Sequence, residues 1–432
     1  MKKISFQYPL LFFLSIYFLI AFYPLQFYLS PESYIPLGQI IFLLLVAIFS
    51  PIAKIFSFKK VNYFDFKIIL YLLFYVVLNS SFQSVFDDPS LMRERILSTL
   101  GTLVPLLAFF MILSIHYTDR YMNTIFRYFF YGCFIYSAYY FEYFVSRLIS
   151  NLQINDSTSR IAGQRDSIYL NFSILFAMFR FQILKNNIFD NFQRIIIIIT
   201  ILFALTVMIL SSTRMGYLLL FLDLTLLFFM NRKYFMLFII SMLLATIAFY
   251  LIDPIIFNEK FDYNLKRLNT MVNFFTGVAA DTMGLDIRLN IWGIIVEEMK
   301  SSPVQLLFGT GEMGVHSLGE SYIGYNRTTG YAVNPIQTAE SQYFDTLFRR
   351  GLIGITFLFI ILFRVIYLSF RLIKIDSEFA YIYKSFFIGF LGVALTFIFL
   401  PLLRDRNFAL FFFTVYALLS SRIYGILSKK CI

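Results

Sequence analysis

Residues 195–230 read IIIIITILFALTVMILSSTRMGYLLLFLDLTLLFFM, two apolar runs divided only by Ser211-Ser212-Thr213-Arg214. A bilayer core is about 30 Å thick and a helix rises about 1.5 Å per residue, so about 20 apolar residues make one crossing. Lipid offers no partner to backbone N–H and C=O groups, so a spanning segment is a helix or part of a closed barrel. These runs are continuous rather than alternating, which excludes the barrel. The stretch predicts two antiparallel spanning helices joined by a hairpin that carries an arginine.

Working outward, the pattern recurs at 8–29, 35–57, 66–86, 96–115, 125–148, 167–185, 194–211, 214–230, 234–252, 350–370, 380–400 and 406–427. The chain is 59% hydrophobic and 14% charged, far from a soluble globule. The expected fold is an all-α polytopic integral membrane protein of about 12 transmembrane helices. Residues 1–252 hold the first nine and 350–432 the last three with a cytoplasmic tail. Residues 253–349 form a large extracytoplasmic loop with short amphipathic helices, Asp262–Thr276 and Asp286–Lys300, which have apolar residues at helical spacing. Glu340–Arg350 reads as a lead-in turn continuous with the tenth span. The opening Met1-Lys2-Lys3 and apolar run lack small residues suited to cleavage near Tyr23-Pro24, which predicts an uncleaved first helix. Cys133 and Cys431 suggest neither a disulfide nor a metal site.

Orientation follows from the lysines and arginines. With the N-terminus cytoplasmic, inner segments carry twenty of them, including Arg127, Arg180, Arg364 and Arg422, against eight in the short outer segments. Both termini are then cytoplasmic and the long loop faces out. The outer eight are Arg93, Arg95, Arg147, Arg160, Arg165, Arg214, Arg404 and Arg406, all arginine, whereas the inner set is mostly lysine. Topology needs only positive charge. Arginine adds a planar fork that pairs bidentately with phosphate or carboxylate, so its excess points to an anionic ligand on the outer side. Lipid phosphates account best for Arg93, Arg95, Arg404 and Arg406, and least well for Arg214 in its short hairpin.

Several motifs weigh less than their letters suggest. Gly309-Thr-Gly311-Glu-Met-Gly314 spells G-x-G-x-x-G, but no βαβ unit surrounds it, so the dinucleotide reading fails. A tight turn and an anion-cradling turn remain. His316 lacks companions for a zinc site, and no metal or other cofactor is expected. Asp223 and Glu142 fall within spans, where a charge is expensive, and read equally as relay or structural groups.

Four features then occur in order: Arg160-Ile-Ala-Gly163, Ser212-Thr-Arg214-Met-Gly216, Arg288-x-x-x-Trp292 with Leu307-Phe-Gly309-Thr-Gly311, and Glu340-Ser-Gln-Tyr-Phe-Asp ahead of Gly351-Leu-Ile-Gly354. With the large loop between spans nine and ten, residues 155–355 resemble the O-antigen polymerase and O-antigen ligase superfamily of bacterial envelopes. The resemblance implies a glycosyltransferase at the outer face of the cytoplasmic membrane, using a glycan on an undecaprenyl-pyrophosphate carrier as donor. It implies Arg214 and Arg288 at the pyrophosphate, with Arg160 or Arg165 supporting, Trp292 and Arg327 in the substrate site, and Glu340 as base. Ligases of the superfamily carry a histidine where Glu340 stands, which favours a polymerase of O-antigen, capsule or exopolysaccharide repeat units. Glu340 as a helix N-terminal carboxylate stands equally beside that role. A flippase and a chain-length regulator are implied partners, and nucleic acid is not. A ligase acting on lipid A-core, with His316 replacing the missing histidine, is the alternative. A 12-helix flippase or transporter is another, against which stand the lopsided loop and the lack of an internal repeat.

Overall fold

A computed structural model describes residues 63–84, 92–113, 119–150, 164–181, 188–210, 214–230, 285–311, 339 and 341–430. It also describes two short hairpins and scattered positions near 16 and between 232 and 247. The helices are α1 (Tyr63–Ser84), α2 (Met92–Leu113), α3 (Asp119–Ser150), α4 (Gln164–Phe181), α5 (Ile188–Leu210) and α6 (Arg214–Met230). After the long loop's first part come α7 (Leu285–Ser301), α8 (Pro303–Phe308), α9 (Gln342–Ile375), α10 (Ala380–Thr396) and α11 (Arg406–Lys430). Five described helical stretches are long and apolar enough to cross a membrane: Tyr63–Phe82, Asn191–Ile209, Gln342–Ile375, Ser377–Thr396 and Arg406–Ser428. Ser98–Leu113 and Met215–Met230 are apolar but shorter.

The body is an all-α membrane protein with two additions that hydropathy does not announce. Gln26–Ser30 pairs antiparallel with Ser33–Pro36 (β1 and β2), and Ile323–Tyr325 with Ala332–Pro335 (β3 and β4). The second hairpin lies in the loop, where only helices were expected. Spans one and two fall mostly outside the described residues, span nine falls partly outside, and the amphipathic segment Asp262–Thr276 lies wholly outside them.

The bundle core is aromatic. Phe129 meets Phe176 at a 4.3 Å centroid distance and stacks against Phe411, linking α3, α4 and α11. Gly389 of α10 faces the Phe172 ring so closely that any Cβ would overlap it, which brings α10 against α4. Outward-facing Phe221, Phe229 and Phe363 are more than two-thirds exposed, as expected where the solvent is lipid.

Two buried ion-pair networks fix one end of the bundle. Asp65 of α1, wholly buried, accepts from Arg364 Nε (2.6 Å), Tyr416 Oη (2.9 Å) and Ser420 Oγ (2.5 Å), joining α1, α9 and α11. Arg422 of α11 donates to Asp376 (2.7 Å) and pairs with Asp119 at 2.7 Å, while Tyr383 donates to Asp376 at 2.8 Å. Arg364 and Arg422 were counted with the inner topology charges, and here they are structural partners as well. A carboxylate buried among helices is tolerated because its lone pairs are met by charged and hydroxyl donors.

Candidate functional site

At the other end, α9 is not the continuous helix its sequence suggests. Gly351 has φ 60° and ψ −163°, breaking α9 into a nine-residue piece (342–350) and the long span beyond it. The expected smooth lead-in is therefore a separate half-helix. Gly309 (φ 80°) and Gly311 (φ 91°) explain the break from the other side. A Cβ on Gly309 would overlap the carbonyl of Arg349, and one on Gly351 would overlap the carbonyl of Leu307. Two backbones thus cross at a distance only glycine permits.

A helix that stops leaves carbonyls without partners, a costly state away from water. Each exposed acceptor here is met. Phe348 O takes Thr310 N (2.7 Å) and Oγ1 (3.0 Å), and Arg349 O takes Gly311 N (2.9 Å) and Asn79 Nδ2 (3.2 Å). Tyr75 Oη of α1 lies 2.6 Å from Arg350 O and 3.1 Å from Phe308 O, bridging both strands of the crossing. This glycine clasp bears on the Gly309 turn at residues 309–311, while Glu312, Met313 and Gly314 of the motif lie outside the described residues. Gly309 N donates to Gln305 O, so the N–H groups of all three residues serve the protein's own carbonyls and none is left to cradle an anion.

The half-helix carries a second small core. Ile291, Ile295 and Met299 of α7 bury against Ala339 and Phe348. Trp292 stacks on Phe344 (4.8 Å, 11°) and donates from Nε1 to Ala339 O at 2.9 Å. Such stacking contributes about 0.5–1.5 kcal/mol beyond burial. On the far side of position 340, Ser341 Oγ and Gln342 N both donate to Phe397 O, and Gln342 Oε1 accepts from Leu403 N. The chain is held on both sides of Glu340, by α7 at Ala339 and by the turn before α11 at Ser341 and Gln342.

Asp345, nearly buried, pairs with Arg349 one turn on (3.2 Å) and with Arg404 (3.7 Å). The Arg406 side chain lies against Gly101 of α2. The assignment of Arg404 to lipid phosphates is thereby corrected, since Asp345 pairs with it. The i, i+4 spacing of Asp345 and Arg349 is the sequence signal for this cluster.

Of the expected site residues, the structure places Arg288, half-buried, one turn before Trp292 on α7. Arg214 begins α6 and Arg165 is the second residue of α4, and both side chains lie outside the described set. Arg160, Arg327, Glu340 and His316 lie outside the described residues altogether. Asp223 is wholly buried on α6, near Asn171 of α4, and Glu142 is exposed and accepts from Ser146 at 2.7 Å.

Residues 199–359 match the family model for O-antigen ligase. Over those residues the match is consistent with the O-antigen polymerase and ligase superfamily. It runs from α5 to the middle of α9, so one continuous segment holds Arg214, Arg288, Trp292, Arg327, Glu340 and the glycine clasp. Members are glycosyltransferase-like enzymes. No curated protein matches the chain.

Proposed function

We propose that the chain is a glycosyltransferase that polymerises oligosaccharide repeat units carried on undecaprenyl pyrophosphate, at the outer face of the cytoplasmic membrane. An anomeric pyrophosphate is already activated, so the reaction needs a base for the acceptor hydroxyl and cations for the leaving group. In this reading Glu340 takes the proton as the acceptor oxygen bonds to the anomeric carbon. The bond from that carbon to the pyrophosphate oxygen breaks, and Arg214 and Arg288 meet the charge left on the carrier, with Arg160 or Arg165 supporting.

The observation that carries this reading is the fixing of the chain on both sides of Glu340, inside the segment that matches the family. Trp292 and Phe397 hold residues 339 and 341–342 on separate helical elements, the rigid support a base needs to meet a substrate reproducibly. Arg288 stands on the same helix as Trp292, one turn away.

The description of the matching family favours a second reading, transfer of finished glycan to an acceptor by a ligase. The surface glycan of a strain lacking this chain separates the two on a gel. Loss of long polymer, with single repeats still reaching their acceptor, supports the polymerase. Long polymer stranded on its lipid carrier refutes it in favour of the ligase.

A further inference from the structure

At the end of the bundle opposite the glycine clasp, α3, α4, α5 and α10 leave a narrow cleft between them. Arg180 in the last turn of α4, Tyr381 at the start of α10, Gln193 of α5 and Arg127 and Tyr131 of α3 line it. Tyr381 lies at the far end of α10 from Phe397, which contacts the half-helix. We infer that this cleft holds the phosphate of an anionic phospholipid across its mouth.

The inference rests on a contrast among arginines at one end of the bundle. Arg364 and Arg422 sit on buried carboxylates at 2.6 and 2.7 Å. Arg180 is held by neutral groups only. Its Nη1 donates to Tyr381 Oη (2.9 Å), its Nη2 reaches Gln193 Oε1 (3.4 Å), and its guanidinium lies 5.4 Å from the centre of the Tyr381 ring. Arg127 is exposed, and neither it nor Arg180 is ion-paired among the described residues. Among the described residues, the acid whose charge acts on Tyr381 is Glu378, exposed on the turn before α10. Neutral tethers fix a guanidinium without cancelling its charge, leaving two arginines aimed at one mouth to meet an anion from outside.

The surroundings choose the form of that anion. Phe192, Ile195 and Ile198 of α5 are about half to two-thirds exposed on the side of the helix turned away from Gln193, so the helix that carries Gln193 is bordered by hydrocarbon. A phosphate at the helix end with hydrocarbon beneath it is the layout of a phospholipid in its own leaflet, where basic clefts between helices hold anionic head groups. In the orientation given by the lysine and arginine distribution, that leaflet is the cytoplasmic one.

The full chain, purified in a neutral detergent, is equilibrated with micelles containing phosphatidylglycerol or phosphatidylcholine, and retained lipid is counted by native mass spectrometry. Phosphatidylglycerol is expected to be retained in preference. Arg127→Glu is expected to lower its retention about fivefold or more, from the usual worth of one basic residue at a lipid surface. Lys374→Glu makes the same charge change at an exposed position in the last turn of α9, away from the cleft lining, and is expected to leave retention unchanged. Arg180→Gln, checked for an unaltered melting temperature, is expected to act like Arg127→Glu. Equal losses from Arg127→Glu and Lys374→Glu would overturn the site in favour of general surface potential. Equal retention of phosphatidylcholine, or release of the lipid by millimolar inorganic phosphate, would overturn the assignment to an anionic phospholipid.

Discussion

The two ends of α9 solve opposite problems. At the Arg364 end the helix is regular, and long-range ion pairs bind it to α1 and α11. At the Gly351 end the helix is broken, and its freed carbonyls are capped by residues from α1 and from the loop. The first arrangement locks helices whose shapes are already determined. The second uses neighbouring groups to sustain a backbone that would not hold its shape alone, and such irregularity in membrane helices marks sites. Stability and chemistry are thus expected to separate along one helix.

The sharpest break in this comparison is Gly351→Ala. A Cβ there meets the Leu307 backbone in a left-handed conformation, and neither backbone can give way. A loss above about 4 kcal/mol is expected, read as little folded protein in the membrane, with Gly309→Ala behaving alike. Gly293→Ala on α7, with open space around it, serves as the control and should be neutral. Asp65→Ala comes next at about 3–5 kcal/mol, because it strands Arg364 in a buried setting. The melting temperature should fall while the protein that remains folded keeps its glycan transfer, and a loss of transfer per folded molecule would contradict the separation. Arg288→Lys should lower transfer about 10²–10³-fold at unchanged melting temperature, the usual effect of removing one donor to a developing charge. Full activity would remove Arg288 from the leaving-group site. Tyr75→Phe loses a hydroxyl that bridges two carbonyls and should cost about 1–2 kcal/mol, with a visible loss of transfer if the clasp positions the site. A fall in stability with no change in transfer would show the clasp to be structural only.

Much of this was legible in the chain. Unbroken runs such as 195–210 identify spans because lipid demands them, and Asp286–Lys300 was recognisable as a helix by its apolar spacing. The break at Gly351 was not, since a glycine among apolar residues is compatible with a helix. Its conformation is dictated by Gly309, about forty residues away. The pairing of Asp65 with Arg364 spans 299 positions, and no local pattern announces it. Arg404 reads as a surface charge until Asp345 is seen beside it. In each case the missing information was tertiary. The site residues brought forward by family resemblance came from short motifs; the short hairpin set Arg214 apart from the other outer arginines, but local physics gave no reason of its own to choose Arg288.

The clasp has a consequence for the segment that issues from it. Gly311 is tied to Arg349 and Ala339 to Trp292, so residues 312–338 begin and end at anchor points built without them. A segment closed off in this way is an exchangeable cassette. Its length and composition can be altered at the modest entropic cost of a longer loop, leaving the membrane core and the half-helix in register.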